Sequence, residues 1–403
     1  MSQTQAAASM ALLALICAGC SAITPAGSGP AASAKSASTL AASAAPGQST
    51  CASAGPFAPA SSAPPGPAAS WPQRLLLRQG PAELIADQVI NPDAGAAYAL
   101  ISRTNTPVRG PYILQCTQLR TGSVHEGPSF LVGSLAAASG YLWVYGASRP
   151  GAQPVVYQVN PASLARIRAI TLPAVTAGFI EAAFATGPDD SVWIGSDRTL
   201  LRVTVSTGIV STRVTLPPGL TVSDIAVDPA RTTLYVSAAH VVHGGFEGLV
   251  MLEYDARSGR LLAAASSGLL SYSVAGATLT AVPGGVWASF RTGMLGLTIH
   301  LGQAGLKMIA PPGPGIALTS PSGVFHWPMY EATAYGGGAL WVANEVGIVA
   351  CLNPRTGQVR ASEQVSQAQL PYQFQAIDPA LHAIYALNTN GLLQIAPPQR
   401  CWN

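Results

Sequence analysis

Residues 221–237 read TVSDIAVDPARTTLYVS, and this stretch decides the fold. Val222 to Val227 alternates in side-chain character, the period of a half-buried strand. Asp228-Pro-Ala-Arg231 is a turn, in which proline fixes φ and aspartate caps the bend. Thr233 to Ser237 is a second strand with Tyr235 at its centre. Gly248 to Tyr254 is a third, and Asp255-Ala-Arg-Ser-Gly259 is a tight turn whose glycine accepts positive φ. Arg260 to Ala264 is the outer strand of a four-stranded unit.

The unit recurs. Tyr98, Trp143, Trp193, Tyr235, Trp287, Trp341 and Tyr385 each sit in a short aliphatic strand, with successive gaps of 45, 50, 42, 52, 54 and 44 residues. A period of this length, built only of strands and turns, marks the blade of a β-propeller. Asn91-Pro92-Asp93 and Asp378-Pro379 repeat the first turn. Leu119 to Gly122, Val205 to Gly208 and Asn353 to Gly357 repeat the last one. The seventh repeat runs out soon after Ala396, while Trp71 to Arg78 has strand character and no partner of its own. The expectation is an all-β, seven-bladed propeller over 71–403, closed by that N-terminal strand. Closure removes an open sheet edge.

Composition agrees. Only 9% of residues are charged, with 41 glycines and 33 prolines, a make-up that suits many short strands. The net charge is +3, and there are two lysines and no basic run. Nucleic acid is therefore not an expected partner, since phosphate binding needs clustered positive charge.

Met10 to Gly19 is an apolar run too short to span a membrane but suited to a signal segment. Ile16-Cys-Ala-Gly-Cys20 resembles a bacterial lipobox, although Cys17 stands where leucine is usual and residues 1–9 carry no Lys or Arg. The resemblance implies a signal peptide over 1–20, lipidation of Cys20 and an extracytoplasmic, lipid-anchored protein. The alternative is plain secretion. Residues 21–70 are nearly all Ala, Ser, Pro and Gly with the single charge Lys35, which reads as a disordered tether.

The repeated plan of Asp/Asn-Pro, Leu-Tyr/Trp-Val and Asn/Asp-x-x-Thr/Ser-Gly resembles the YVTN and streptogramin-lyase-like propellers and the wider quinoprotein-like group over 72–403. The resemblance implies a scaffold, not an activity, because such scaffolds host many functions.

Once Cys17 and Cys20 are assigned to signal and anchor, Cys51, Cys116, Cys351 and Cys401 remain, an even number in an oxidising compartment. Cys116 and Cys351 each lie six residues before a turn glycine, in equivalent third strands of blades one and six. Blade seven separates those blades, so a direct bridge is not expected. Cys51–Cys401 is sterically open, and buried free thiols at 116 and 351 are the expectation.

Ten to twelve residues before the blade aromatic, a polar side chain opens the inner strand in five repeats: Gln88, Glu181, Asp224, Glu331 and Gln375. Inner strands line a propeller's channel, so these form a candidate ring at its mouth. Glu181, Asp224 and Glu331 together are a candidate Ca²⁺ site, since hard cations take several oxygen ligands. With one pKa raised, they are also a candidate acid/base pair. The competing role is capping of backbone N–H groups on a neighbouring blade. The loop from Phe325 to Glu331 adds His326, Trp327 and Tyr330 as candidate contacts for a ligand or partner. His240 and His243 lie in a Gly-rich insertion too loose to read as a metal site. No nucleophile elbow, His-Glu-x-x-His helix or phosphate loop is present.

The expected function is binding of an unidentified protein or small ligand at one propeller face, without catalysis or a cofactor. The alternatives are a cation-dependent lyase or hydrolase at the channel mouth, and a structural envelope component.

Overall fold

The computed structural model describes residues 51, 71–78, 84–91, 95–102, 111–131, 133–147, 153–173, 182–242, 245–266, 277–292, 295–302, 308–310, 330–344, 348–364, 373–388 and 391–402. The predicted signal, Cys20 and most of the predicted tether lie outside these. Cys51 to Asn403 is one compact unit.

That unit is a seven-bladed β-propeller of four-stranded antiparallel blades. Blade four is the clearest, with strands Leu220–Val227, Thr233–Val242, Gly245–Asp255 and Leu261–Ser266 paired in chain order. Its middle strands are longer than expected. The insertion carrying His240 is an extension of the hairpin, with Val242 opposite Gly245. The inner strands of the other blades are Leu84–Asn91, Leu135–Ala138, Ala183–Thr186, Thr278–Val282, Tyr330–Gly336 and Gln373–Asp378. They neighbour one another in chain order, and the last returns to the first.

Blade seven closes the ring as expected. Gln73–Arg78 pairs antiparallel with Gly391–Ile395 and becomes its outer strand. The exchange joins the two ends of the propeller chain in one sheet. It also covers the edge that Gly391–Ile395 would otherwise expose.

All seven blade aromatics occupy second strands and are at most 2% exposed. Two also reach across to the next blade. The Trp193 indole N–H donates to the Ala256 carbonyl of blade four at 2.9 Å, and that of Trp287 to the Pro354 carbonyl of blade six at 2.7 Å. The period in the sequence is therefore the spacing of the packing layer between blades.

The turns follow their chemistry. Asp228 Oδ1 accepts the N–H groups of Thr232 and Thr233 at 2.6 and 2.7 Å. Asp255 Oδ1 accepts those of Arg257 and Ser258 at 3.1 and 2.7 Å. Gly259 completes that turn at φ +71°, and a Cβ there would meet Thr212 and Val214 of blade three at 2.8 and 2.9 Å. Only glycine meets both demands.

The cysteines correct the expectation. Cys51 is bonded to Cys116 and Cys351 to Cys401, with Cα separations of 6.3 and 5.7 Å. Cys116 and Cys351 do occupy equivalent third strands, but neither is a free thiol. Cys51 is 1% exposed in the core shared by blades one and two. Its N–H donates to the Ala162 carbonyl at 2.8 Å, and its own carbonyl accepts Gln118 Nε2–H at 3.1 Å.

Candidate functional site

The inner strands of blades one, four, six and seven each carry a register shift, at Ile85/Asp87, Val222/Asp224, Tyr330/Ala332 and Phe374/Ala376. The shift sets where each predicted residue falls in the register. Relative to the residue opposite the blade aromatic, Gln88 and Gln375 lie one before, Asp224 two before and Glu331 three before. Successive strand residues face opposite sides, so these four do not share one register position. Glu331 and Gln375 are placed here by backbone position alone. Tyr330 begins the inner strand of blade six opposite Asn344. Glu181, His326 and Trp327 lie outside the described residues.

The register equivalent of Asp224 in blade one is Asp87, next to the predicted Gln88. Asp224 Oδ1 accepts the N–H of Ile225 at 2.8 Å, and its Oδ2 accepts that of Leu279 in blade five at 2.7 Å. Asp87 does the same, accepting Gln88 N–H at 2.8 Å and Leu135 N–H of blade two at 2.6 Å. Each carboxylate thus bolts its own bulge to the next inner strand. Gln88 itself is 7% exposed and opposite Ala99. A constant spacing distinguishes the true pair: both aspartates stand eleven residues before their blade tyrosine.

Hydroxyls continue the bolting. Ser134 of blade two exchanges hydrogen bonds with the backbone of Ala182 at 3.1 and 3.2 Å. Ser237 Oγ donates to the Ala277 carbonyl at 2.7 Å. The hydroxyls of Thr280 and Thr333 lie 2.7 Å apart between blades five and six. Among the described residues, Asp87, Asp224, Ser134, Ser237, Thr280 and Thr333 each bond across a blade boundary.

Burial pushes the Asp224 carboxyl up to about 6, against the two N–H groups that favour its ionised form. Burial also raises the phenols of Tyr98 and Tyr385 to about 12 and lowers His300, which stacks on Trp287 with ring centroids 4.5 Å apart. Among the described residues no three His, Cys, Asp or Glu side chains come together as metal ligands.

A small pocket between blades two and three, against Leu172, Pro173, Ile194, Ser196 and Asp197, has room for little more than one water molecule, too little for a small-molecule site. At the edge of blades three and four, Asp189 is paired with Arg202 at 3.4 Å and Arg257 at 3.3 Å. Exposed apolar side chains, among them Ile209, Val124 and Leu262, are scattered over the outer strands and the turns beside them.

No protein-family model matches the chain, and no curated protein matches it. Among solved structures it is similar to BamB from Moraxella catarrhalis, at 16% identity and a TM-score of 0.48, over 77% of this chain and 85% of that one. It is also similar to the Pan2 WD40 domain of Neurospora crassa, at 11% identity and a TM-score of 0.55, over 84% of this chain and 100% of that one. The second likeness shows the fold alone: a propeller, the architecture of WD40 repeats.

Proposed function

We propose that the chain is an exported bacterial propeller, anchored by lipid on Cys20, that binds a protein or small ligand without catalysis or cofactor. The pairing of all four propeller cysteines carries this reading. Disulfides form and persist in oxidising compartments outside the cytoplasm. The lipobox-like Ile16 to Cys20 supports the anchor, and the repeats support a scaffold of the YVTN and streptogramin-lyase-like kind. Binding falls to a propeller face, where His326, Trp327 and Tyr330 are the candidate contacts.

The rival, a cation-dependent enzyme, draws on the raised Asp224. Both oxygens of that carboxylate already accept backbone N–H groups, which favours the structural role. Fractionation of bacteria producing the full chain tests the proposal. Wild type is expected in the membrane fraction, and Cys20→Ala in soluble extracytoplasmic material. A wild-type chain found in the cytoplasm would overturn it.

A further inference from the structure

We infer that His300 makes the seam between blades five and six open on acidification: the neutral ring holds the last turn of blade six, and a proton on Nε2 lets the seam part. In blades two, three and five, the third-strand residue opposite the blade aromatic reaches the last turn of the next blade. Gln158, opposite Trp143, donates to the Val205 carbonyl at 3.2 Å. Arg202, opposite Trp193, donates through Nη1–H to the Arg257 carbonyl at 2.8 Å, beside the Ala256 carbonyl that Trp193 takes. Blade five repeats the second arrangement. His300 lies opposite Trp287, and it bonds the Arg355 carbonyl beside the Pro354 carbonyl that Trp287 takes.

The two sites differ in what surrounds the donor. Arg202 is a permanent cation, and its other nitrogens are met as well. Nε donates to Ser191 Oγ at 3.0 Å, and Nη2 to the Pro188 carbonyl at 3.1 Å and to Asp189 at 3.4 Å. Blade five has Gly285 where blade three has Ser191, each two residues before the blade tryptophan, and Pro283-Gly284 as the turn before it, with no hydroxyl or carboxylate. His300 is 2% exposed and stacks on Trp287 with the ring planes 4° apart. Its Nε2 lies against Gly285, where a Cβ would stand 2.9 Å away, and has no hydrogen-bond partner among the described residues. The bond to Arg355 therefore falls to Nδ1–H. Blade three is built for a cation at this position, and blade five for a neutral ring.

A proton on Nε2 adds a charge and a donor where nothing accepts it, and a buried unpaired polar group is costly. Relief comes from parting the blade-six turn from Trp287 and His300, which lets water reach the ring. The neighbouring charges do not offset this. The strands of blade five carry no carboxylate among the described residues. Its one charged strand residue, Arg291, is four residues beyond Trp287. Near the turn, blade six contributes the cations Arg355 and Arg360 and the phenol of Tyr335, while Glu331 and Glu363 stand at the far ends of their strands. Burial already holds the imidazole below its ordinary value of 6.5, against the pull of the Arg355 carbonyl. The seam is thus fully held above that value and loosens as pH falls below it. Asp224, which also titrates in this range, faces blade five across its other seam, and its effect has the opposite sign.

Hydrogen–deuterium exchange of the full chain at pH 7.5 and pH 5, corrected for the intrinsic rate, tests the joint. Peptides covering 285–302 and 349–357 are expected to lose protection, by up to about tenfold for each pH unit below the ordinary histidine value. Peptides covering 191–204 and 250–259, the seam held by Arg202, are expected to keep theirs. His300→Gln leaves a neutral donor like Gln158 and should abolish the pH dependence at the blade five–six seam. Unchanged protection there at pH 5, an equal loss at both seams, or a loss that persists in His300→Gln would each overturn the inference. Should His300→Gln fail to fold, the comparison of the two seams in the wild-type chain decides alone.

Discussion

The Asp224 carboxylate in blade four accepts the backbone N–H of Leu279 in blade five at 2.7 Å. Asp87 and Leu135 repeat the contact between blades one and two at 2.6 Å. A carboxylate at the channel mouth of a propeller invites a functional reading. Here it replaces the sheet hydrogen bonds that a bulge removes and ties the next blade on.

Asp224→Ala and Asp87→Ala should each cost about 1–3 kcal/mol, the penalty for leaving buried N–H groups without an acceptor. Urea unfolding of each variant measures this. A neutral Asp224→Ala would mean the contact is incidental.

The two kinds of aspartate should respond to pH in opposite directions. Asp224 binds its proton more tightly folded than unfolded, so its contribution to stability falls as pH rises from about 4 to about 6. The half-buried Asp255 is held below its ordinary value by the N–H and hydroxyl of Ser258. Its contribution is present above the ordinary carboxylate range and is lost as pH falls through it. Melting curves of Asp224→Asn and Asp255→Asn against wild type, from pH 3 to 7, should diverge with opposite slopes.

Trp193 supplies packing and one bond across the blade boundary. Trp193→Ala should cost about 3–5 kcal/mol, the range for truncating a buried aromatic. Trp193→Phe keeps much of the packing but strands the Ala256 carbonyl, at about 1–2 kcal/mol. Equal losses in the two variants would remove the hydrogen bond from the account.

Much of this was legible in the sequence. The aromatic spacing, the Asp-Pro turns and the unpaired strand at Trp71 to Arg78 specify seven blades and their closure, because each is local strand or turn chemistry. The channel mouth was not legible. A bulge adds one residue without changing the local pattern, so the sequence pointed to Gln88 where the register equivalent of Asp224 is its neighbour Asp87. The disulfides were hidden for another reason. Cys51 lies in an Ala/Ser/Pro/Gly stretch with no strand pattern to place it, and pairing depends on three-dimensional separation.

Both disulfides flank the blade that closes the ring. Cys51–Cys116 ties the entering chain to blade one, and Cys351–Cys401 ties the leaving chain to blade six. Cys401 is also held through its neighbour: Trp402 packs on Trp341 at a centroid distance of 4.9 Å and stacks on His382. For a loop of this size the chain-entropy limit is about 4 kcal/mol. Cys351→Ser/Cys401→Ser should therefore unfold at markedly lower denaturant, and wild type in reductant, which loses both bonds, at lower denaturant still. Unchanged midpoints would show that the strand exchange alone closes the ring.

Added Ca²⁺ or chelator should leave the melting temperature of the propeller unchanged, since a cation bound only to the folded state would raise it by mass action. A Ca²⁺-dependent rise that disappears in Glu181→Gln/Glu331→Gln would instead establish a metal site and revive the enzyme reading.

The most direct test is non-reduced peptide mapping of the full chain isolated from bacteria after blocking free thiols. The account predicts Cys51–Cys116 and Cys351–Cys401 as linked peptides, no blocked thiol among these four, and a lipid-modified Cys20 as the first residue. Blocked thiols at 116 and 351, with the chain still beginning at Met1, would contradict both the pairing and the export it implies.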